Sequence, residues 1–542
     1  MIAPATRLPV EVIEQIPEWI DSRRDLISFA CASRDFKAFV IPRHTEYCIL
    51  RVACGPEWVP TWEHLMRRPD LTSNVRVLHF VSIGSAFYRG GIRTPRTLLG
   101  TDGIPPSVPV PEIGNWERAG EHYEDICKVV EDMDKLHTFV WEQLWYGTVF
   151  VEQDEILLES VVRKPTLKNL LLMHEGGAVH ILLYMLRDRK NSVWQMESLE
   201  ALVIDHDRRF DGDEFHNLIL TDTNFGPWVQ SFSSSLTFIS TTPTLFAAHC
   251  SNFYLPALRR LSVFEGIGHD TSINTKIKTF LEIHPRIEEL SWTPVRQIIL
   301  AANCLPALRK LACTPEFLSA LEAATPPGNL GSSSRKIEEL AISWDGDCKT
   351  GTISIKDAVS LRCLDRSYVQ RLRIERLAAN SSEELLLLPQ AFPNIWHLNL
   401  PWSFEIHKRG VFLSQSEWVV LLSRFLNLEA FLGTALIDCQ DPGEESEPYV
   451  EEAVQRFGRW CPKLRQIFHH VQPEDEDYGI DDITKKVLIF RDEPEPEARY
   501  MAKWLGIQDE RSKSWKKITW EYGENTPRDP FQTMPWSDDD HQ

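Results

Sequence analysis

The chain has 542 residues, of which 43% are hydrophobic and 25% charged, ordinary values for a protein that buries a sizeable core. Its 78 acidic residues outnumber 58 Lys and Arg for a formal net charge of −20, and no long Lys/Arg block occurs. That balance argues against general binding to nucleic acid or anionic membranes, which needs clustered basic side chains.

The first predicted elements are three short helices. Leu8-Pro9 opens the first, since proline at the first helical position loses no hydrogen bond. Val12, Ile13, Ile16 and Ile20 follow at helical spacing as an apolar stripe. Asp21-Ser22-Arg23-Arg24 forms a turn, and Asp25 is placed to cap a second helix carrying Leu26, Ile27, Phe29 and Ala30. A third helix carries Phe36, Phe39 and Val40 up to Pro42. Helices this short cannot bury so much apolar surface among themselves, so part of it is expected to face a partner.

Over residues 1–46 the pattern resembles the F-box, carried by Leu8, Pro9, Glu11, Ile13, Ile16, Ile20, Asp25, Leu26, Ser33, Arg34 and Phe36. The resemblance implies binding to a Skp-type adaptor and, through it, to a cullin. It assigns adaptor contact to Leu8, Pro9, Ile13, Ile16, Leu26, Ile27 and Phe36. Pro17 departs from the pattern and should kink the first helix or end it early, because it removes the bond to the carbonyl of Ile13.

Residues 47–165 read as a transition region with the first irregular repeats, interrupted by a Pro-rich loop at 100–111. From about residue 70 onward, and most clearly over the solenoid expected at 166–470, one phrase recurs: an apolar anchor, two variable residues, then apolar-x-apolar. Leu255-Pro256-Ala257-Leu258-Arg259-Arg260-Leu261 and Leu305-Pro306-Ala307-Leu308-Arg309-Lys310-Leu311 are its clearest copies. First anchors fall at Leu167, Leu199, Leu258, Ile287, Leu308, Ile337, Val369, Ile395, Leu428 and Leu464, mostly 21 to 36 residues apart. Between them lie helix-like stretches such as 416–425, and a connector, Pro326 to Ser334.

That period and phrase resemble the leucine-rich repeat. The expected fold is therefore α/β: an N-terminal three-helix F-box followed by an irregular solenoid of short parallel strands alternating with helices. Each unit leaves an apolar face that only a stacked neighbour can bury. Regular repeats place Asn or Cys after the strand. Here those positions hold Asp207, Gly266, Glu316, Leu377 and Ser403, which predicts units of variable length. Residues alternating with the buried anchors should face a target: Arg260, Ser262, Glu289, Ser291, Lys310, Glu339, Ser343, Arg371, Arg373, His397 and Asn399.

Residues 471–542 form an acidic cap and tail in which Trp515, Ile518 and Trp520 alternate as a capping strand would. No phosphate-binding loop, nucleophile elbow, zinc helix or dinucleotide fingerprint occurs, and Glu288-Glu289 and Glu338-Glu339 recur at one point of the repeat as surface positions. Eleven scattered cysteines form no disulfide framework, and Cys461 with His469 and His470 lacks a second Cys at ligand spacing. No catalytic group, cofactor or metal is expected. No basic-then-apolar leader or run of about 18 apolar residues is present, which places the chain in cytoplasm or nucleus. The reading is a non-catalytic substrate receptor of an SCF-type ubiquitin ligase, binding an adaptor and an unknown protein target; a repeat scaffold without a ubiquitin role is the alternative.

Overall fold

The computed structural model describes residues 16, 23–40, 47–52, 59–80, 123–142, 151–173, 177–204, 224–263, 271–294, 298–325, 335–342, 352–401, 404–406, 409–411, 413–432, 457, 460–471, 483–490 and 501–504. Two units, Met1–Thr241 and Thr242–Gln542, divide the chain. That division falls inside the stretch the repeat phrase marks as continuous.

The first unit opens with helices α1, Arg23–Ala32, and α2, Arg34–Val40. Asp25, expected as a cap, lies within the first turn of α1. The unit continues as parallel strands β1 (Ile49–Val52), β2 (Val77–Phe80), β3 (Thr138–Glu142), β4 (Asn169–Met173), β5 (Ala201–Ile204) and β6 (Phe238–Thr241), paired in chain order. Helices such as Tyr123–Glu131, Val151–Val162 and Gly177–Leu186 alternate with them.

In the second unit the strands are β7 (Arg260–Val263), β8 (Glu289–Trp292), β9 (Lys310–Cys313), β10 (Glu339–Ile342), β11 (Ile353–Ser354), β12 (Arg371–Ile374), β13 (Leu377–Ala379), β14 (His397–Asn399), β15 (Phe404–Ile406), β16 (Arg409–Val411), β17 (Ala430–Leu432), β18 (Gln466–Val471), β19 (Ile483–Phe490) and β20 (Met501–Trp504). Strands β7, β8, β9, β10, β12, β14, β17 and β18 run parallel in that order. Antiparallel β19 and β20 follow β18, and β11, β13, β15 and β16 make a small second sheet. The chain is an α/β protein with a long parallel sheet of strands alternating with helices.

The phrase explains each strand. In β7 the anchors Leu258, Leu261 and Val263 are buried, and their counterparts Ile287, Leu290 and Trp292 are buried in β8. Helices cover these side chains: the Trp292 ring meets Phe317 at 5.5 Å and Trp418 meets Phe431 at 5.2 Å. Three copies escape a search for leucine. Val75-x-x-Leu78-x-Phe80, Leu136-x-x-Phe139-x-Trp141 and Leu236-x-x-Ile239-x-Thr241 carry the same buried positions with other residues. The ladder accordingly starts at Ile49, far ahead of the first leucine anchor at 167.

A second regularity lies in the backbone at each strand entrance. The carbonyl of Arg259 accepts the amides of both Glu288 (2.7 Å) and Glu289 (3.1 Å); Glu288 then accepts Arg309 and Lys310, and Arg309 accepts Glu338 and Glu339. The same pair of bonds links Glu338 to Gln370 and Arg371, Gln370 to Trp396 and His397, and Trp396 to Glu429 and Ala430. In the first unit Cys48, Arg76, His137, Lys168 and Glu200 play the accepting role. One carbonyl using both lone pairs leaves no buried amide orphaned where the chain turns into the sheet.

Helix starts follow local chemistry. Thr314 caps the helix Pro315–Ala323, whose first residue is proline, and Ser414 with Glu417 forms a capping box on Gln415–Leu422. That helix begins one residue before the helix-like stretch read from 416 and ends three residues before 425.

The missing strand-following asparagines have substitutes elsewhere. Asn394 Nδ2 donates to the Ser367 carbonyl (2.8 Å) and Asn427 Nδ2 to that of Pro393 (3.4 Å), so amide side chains tie neighbouring repeats one residue before the first anchor. Arg335 does the same from inside. Only 4% exposed, it donates to the carbonyls of Leu305 (3.2 Å), Cys304 and Cys363 (3.4 Å) and to the Thr325 hydroxyl (3.2 Å). Burial pulls its pKa below the ordinary arginine value. Leu305, one of its acceptors, sits at φ 56°, a left-handed conformation that costs about 1 kcal/mol for a residue with a Cβ. Replacing Arg335 by Leu strips those carbonyls of their donor, so urea denaturation should show a loss of about 3 kcal/mol in unfolding free energy.

Candidate functional site

At the N-terminal end, Ser33 is placed between α1 and α2, its hydroxyl accepting the Phe36 amide (3.0 Å), which caps α2. The Phe36 ring stacks on Phe29 with centroids 4.4 Å apart, and Phe29 packs against Ala30 and Val40. Phe36, assigned by the resemblance to adaptor contact, faces Phe29 within the helix pair and is 8% exposed. Leu26 and Ile27 lie on α1, and Ile16 stands in a 3-10 turn. Leu8, Pro9, Ile13 and Pro17 lie outside the described residues, as do Ser343, Trp515, Ile518 and Trp520.

The repeat face is organised by charge. Arg260, Glu289, Lys310, Glu339, Arg371 and His397 open successive strands and are partners in the parallel register. Lys310 Nζ lies 3.5 Å from Glu289 and 3.4 Å from Glu339, and Arg371 lies 3.8 Å from Glu339. One residue earlier a parallel row repeats the alternation: Arg259 with Glu288 (3.6 Å) and Arg309 with Glu338 (2.7 Å). In the first unit Lys168 and Glu200 pair at 2.8 Å in the equivalent place. The doubled acids and doubled bases of the sequence therefore neutralise one another across repeats.

The next outward positions are not open. Ser262 is fully buried and Ser291 is 7% exposed, followed in register by the buried small residues Ala312 and Ala341. Among the described residues, larger polar residues stand half-exposed in this row at β12 and β14, as Arg373 and Asn399. Arg373 pairs with Glu375 at 2.9 Å. Of the residues expected to meet a target, Ser262, Ser291 and Glu339 are therefore enclosed.

Beside β12, β14 and β17 the strand entrances form a groove of about 590 Å³. The paired charges stop there: the row holds Gln370, Trp396 and Glu429. Tyr368 and Asn394 stand on one side, Asn427 and Lys463 on the other, with Lys463 Nζ donating to Asn427 Oδ1 (2.7 Å). Arg371 lies over the Trp396 ring, 4.6 Å from its centroid, and Lys336 over Tyr368 at 4.9 Å. None of the groove residues was singled out from sequence. The available signal was the replacement of a charge by Gln370 and Trp396 just before the strand. Among the described residues no His/Cys/Asp/Glu cluster is suited to a metal, and no helix is long and apolar enough to cross a membrane.

No protein-family model and no curated protein matches the chain. Among solved structures it is similar to TLR13 in the crystal structure of the TLR13–ssRNA13 complex, with 11% identity and a TM-score of 0.26. The match covers 68% of this chain and 51% of that one, about half its length.

Burial raises the pKa of Glu339 above the usual carboxylate range, outweighing Arg371 and Lys310, and its Oε2 has no hydrogen-bond partner. A folded-state pKa above the unfolded one means the native protein holds this proton more tightly. Stability from this group is thus greatest below the unfolded pKa and falls as pH rises through the folded value. The Glu339→Gln variant should match the wild type in acid and become the more stable of the two as pH rises to neutrality, read by denaturation at a series of pH values.

Proposed function

We propose that the chain is a non-catalytic substrate-recognition subunit of an SCF-type cullin-RING ubiquitin ligase, acting in cytoplasm or nucleus. The N-terminal segment would bind a Skp-type adaptor and the repeats would hold a protein target. The observation that carries this reading is the helical pair α1–α2, with Asp25-Leu26 in the first turns of α1, Ser33 between the helices and Arg34-Asp35-Phe36 starting α2, set ahead of a long run of parallel repeats. The residues proposed to meet the adaptor are Leu8, Pro9, Ile13, Ile16, Leu26, Ile27 and Phe36. The finer likeness of the repeats to leucine-rich units supports the second half: parallel strands stacked in register present one side chain per repeat along a row, which suits an extended partner.

Such a receptor makes and breaks no bond. It raises the effective concentration of a target lysine at a charged conjugating enzyme. The purified chain should retain a recombinant Skp-type adaptor in a pull-down, and Leu8→Asp with Pro9→Ala should abolish retention. Undiminished binding by that double variant, or none by the wild type, overturns the ligase reading; the latter outcome leaves a repeat scaffold.

A further inference from the structure

We infer that the groove beside β12, β14 and β17 docks an extended peptide segment bearing a lysine or arginine, whose cation sits between the Glu429 carboxylate and the Trp396 ring. This deepens the proposal that the repeats hold a protein target and does not depend on the adaptor.

The first support is a broken pattern. At the strand entrances of β7 to β10, Arg259 meets Glu288 and Arg309 meets Glu338. At the next entrances Gln370 and Trp396 carry no charge, and Glu429 stands in the row between Trp396 and Arg465, its carboxylate making neither an ion pair nor a side-chain hydrogen bond among the described residues. Departures from a repeating rule that gain nothing for packing mark sites kept for another purpose. The cavity opens at the point where the rule fails.

The lining indicates what would enter. Trp396 already takes one cation, Arg371, at 4.6 Å, so its indole is used here as a cation-binding surface. Its Nε1–H reaches Gln370 Oε1 only at 3.4 Å, a weak bond that a better acceptor could replace. Asn394 donates to Ser367, leaving its side-chain oxygen for a peptide amide, and Lys463 offers a donor for a peptide carbonyl. Strands about 4.8 Å apart place these groups along a line that three or four residues of extended chain would span. The net charge of −20 draws a basic segment toward the protein and repels an acidic one.

The test is selection from a random peptide library on the immobilised full chain, comparing wild type with Glu429→Gln, Glu429→Lys and Trp396→Ala, with thermal melting of each variant to establish folding. Wild type should enrich Lys or Arg at one position. For a selected peptide, Glu429→Gln should weaken binding roughly fivefold, the scale of a partly exposed ion pair. Glu429→Lys should select Asp or Glu instead. The inference is overturned if wild type enriches acidic or uncharged sequences, or if Glu429→Gln and Trp396→Ala bind the basic peptide as wild type does. Adaptor retention, measured on the same preparations, reads the N-terminal head alone and so separates failure of this inference from failure of the ligase reading.

Discussion

One carbonyl per repeat holds the solenoid together. At each strand entrance it accepts two consecutive amides from the repeat that follows, from Cys48 through Glu200 in the first unit and from Arg259 through Trp396 in the second. The constraint is geometric: it sets where each strand begins, and a strand that begins elsewhere orphans an amide beside a buried core. The apolar phrase can then vary, because the backbone itself carries the register. Phe139, Trp141 and Ile239 stand where leucine is usual, and the ladder continues through them.

Charge alternation reinforces that register. A one-residue slip would set Lys310 beside the wrong partner and turn every anchor out of the core. Isolated surface pairs contribute little, but a row in which Lys310 lies between Glu289 and Glu339 discriminates between alignments even where its net stabilisation is small. Glu339 shows the opposing cost, since burial disfavours its charge despite two neighbouring cations. Arg335 answers a related need with neutral acceptors, drawing together carbonyls of Leu305 and Cys363 that lie 30 and 28 residues from it on either side in sequence.

Much of this was legible beforehand. Leucine spacing marked ten of the strand phrases, and of the doubled Glu pairs read as repeating surface positions Glu339 is buried. The first unit's early strands were expected only as irregular repeats without named anchors, because aromatic and β-branched residues replace leucine there, although burial treats them alike. Asparagine ties were sought after the strand and lie before it. The groove was invisible because Gln370, Trp396 and Glu429 acquire meaning only as exceptions to a charge row, and that row exists only once strands are in register. The packing of Phe36 was hidden for a similar reason: an apolar helix position does not reveal that its neighbour in the fold is Phe29.

By itself the sequence determined the class of architecture, since periodic burial requires stacked units whatever their exact residues. It also determined the charge alternation, written as alternating doublets of like sign. Only the tertiary structure decided which outward positions are open and which are enclosed, as with Ser262 and Ser291. It alone gathered residues from four successive repeats around one cavity. Exposure and convergence are properties of neighbours distant in the chain, and no local pattern of residues encodes them.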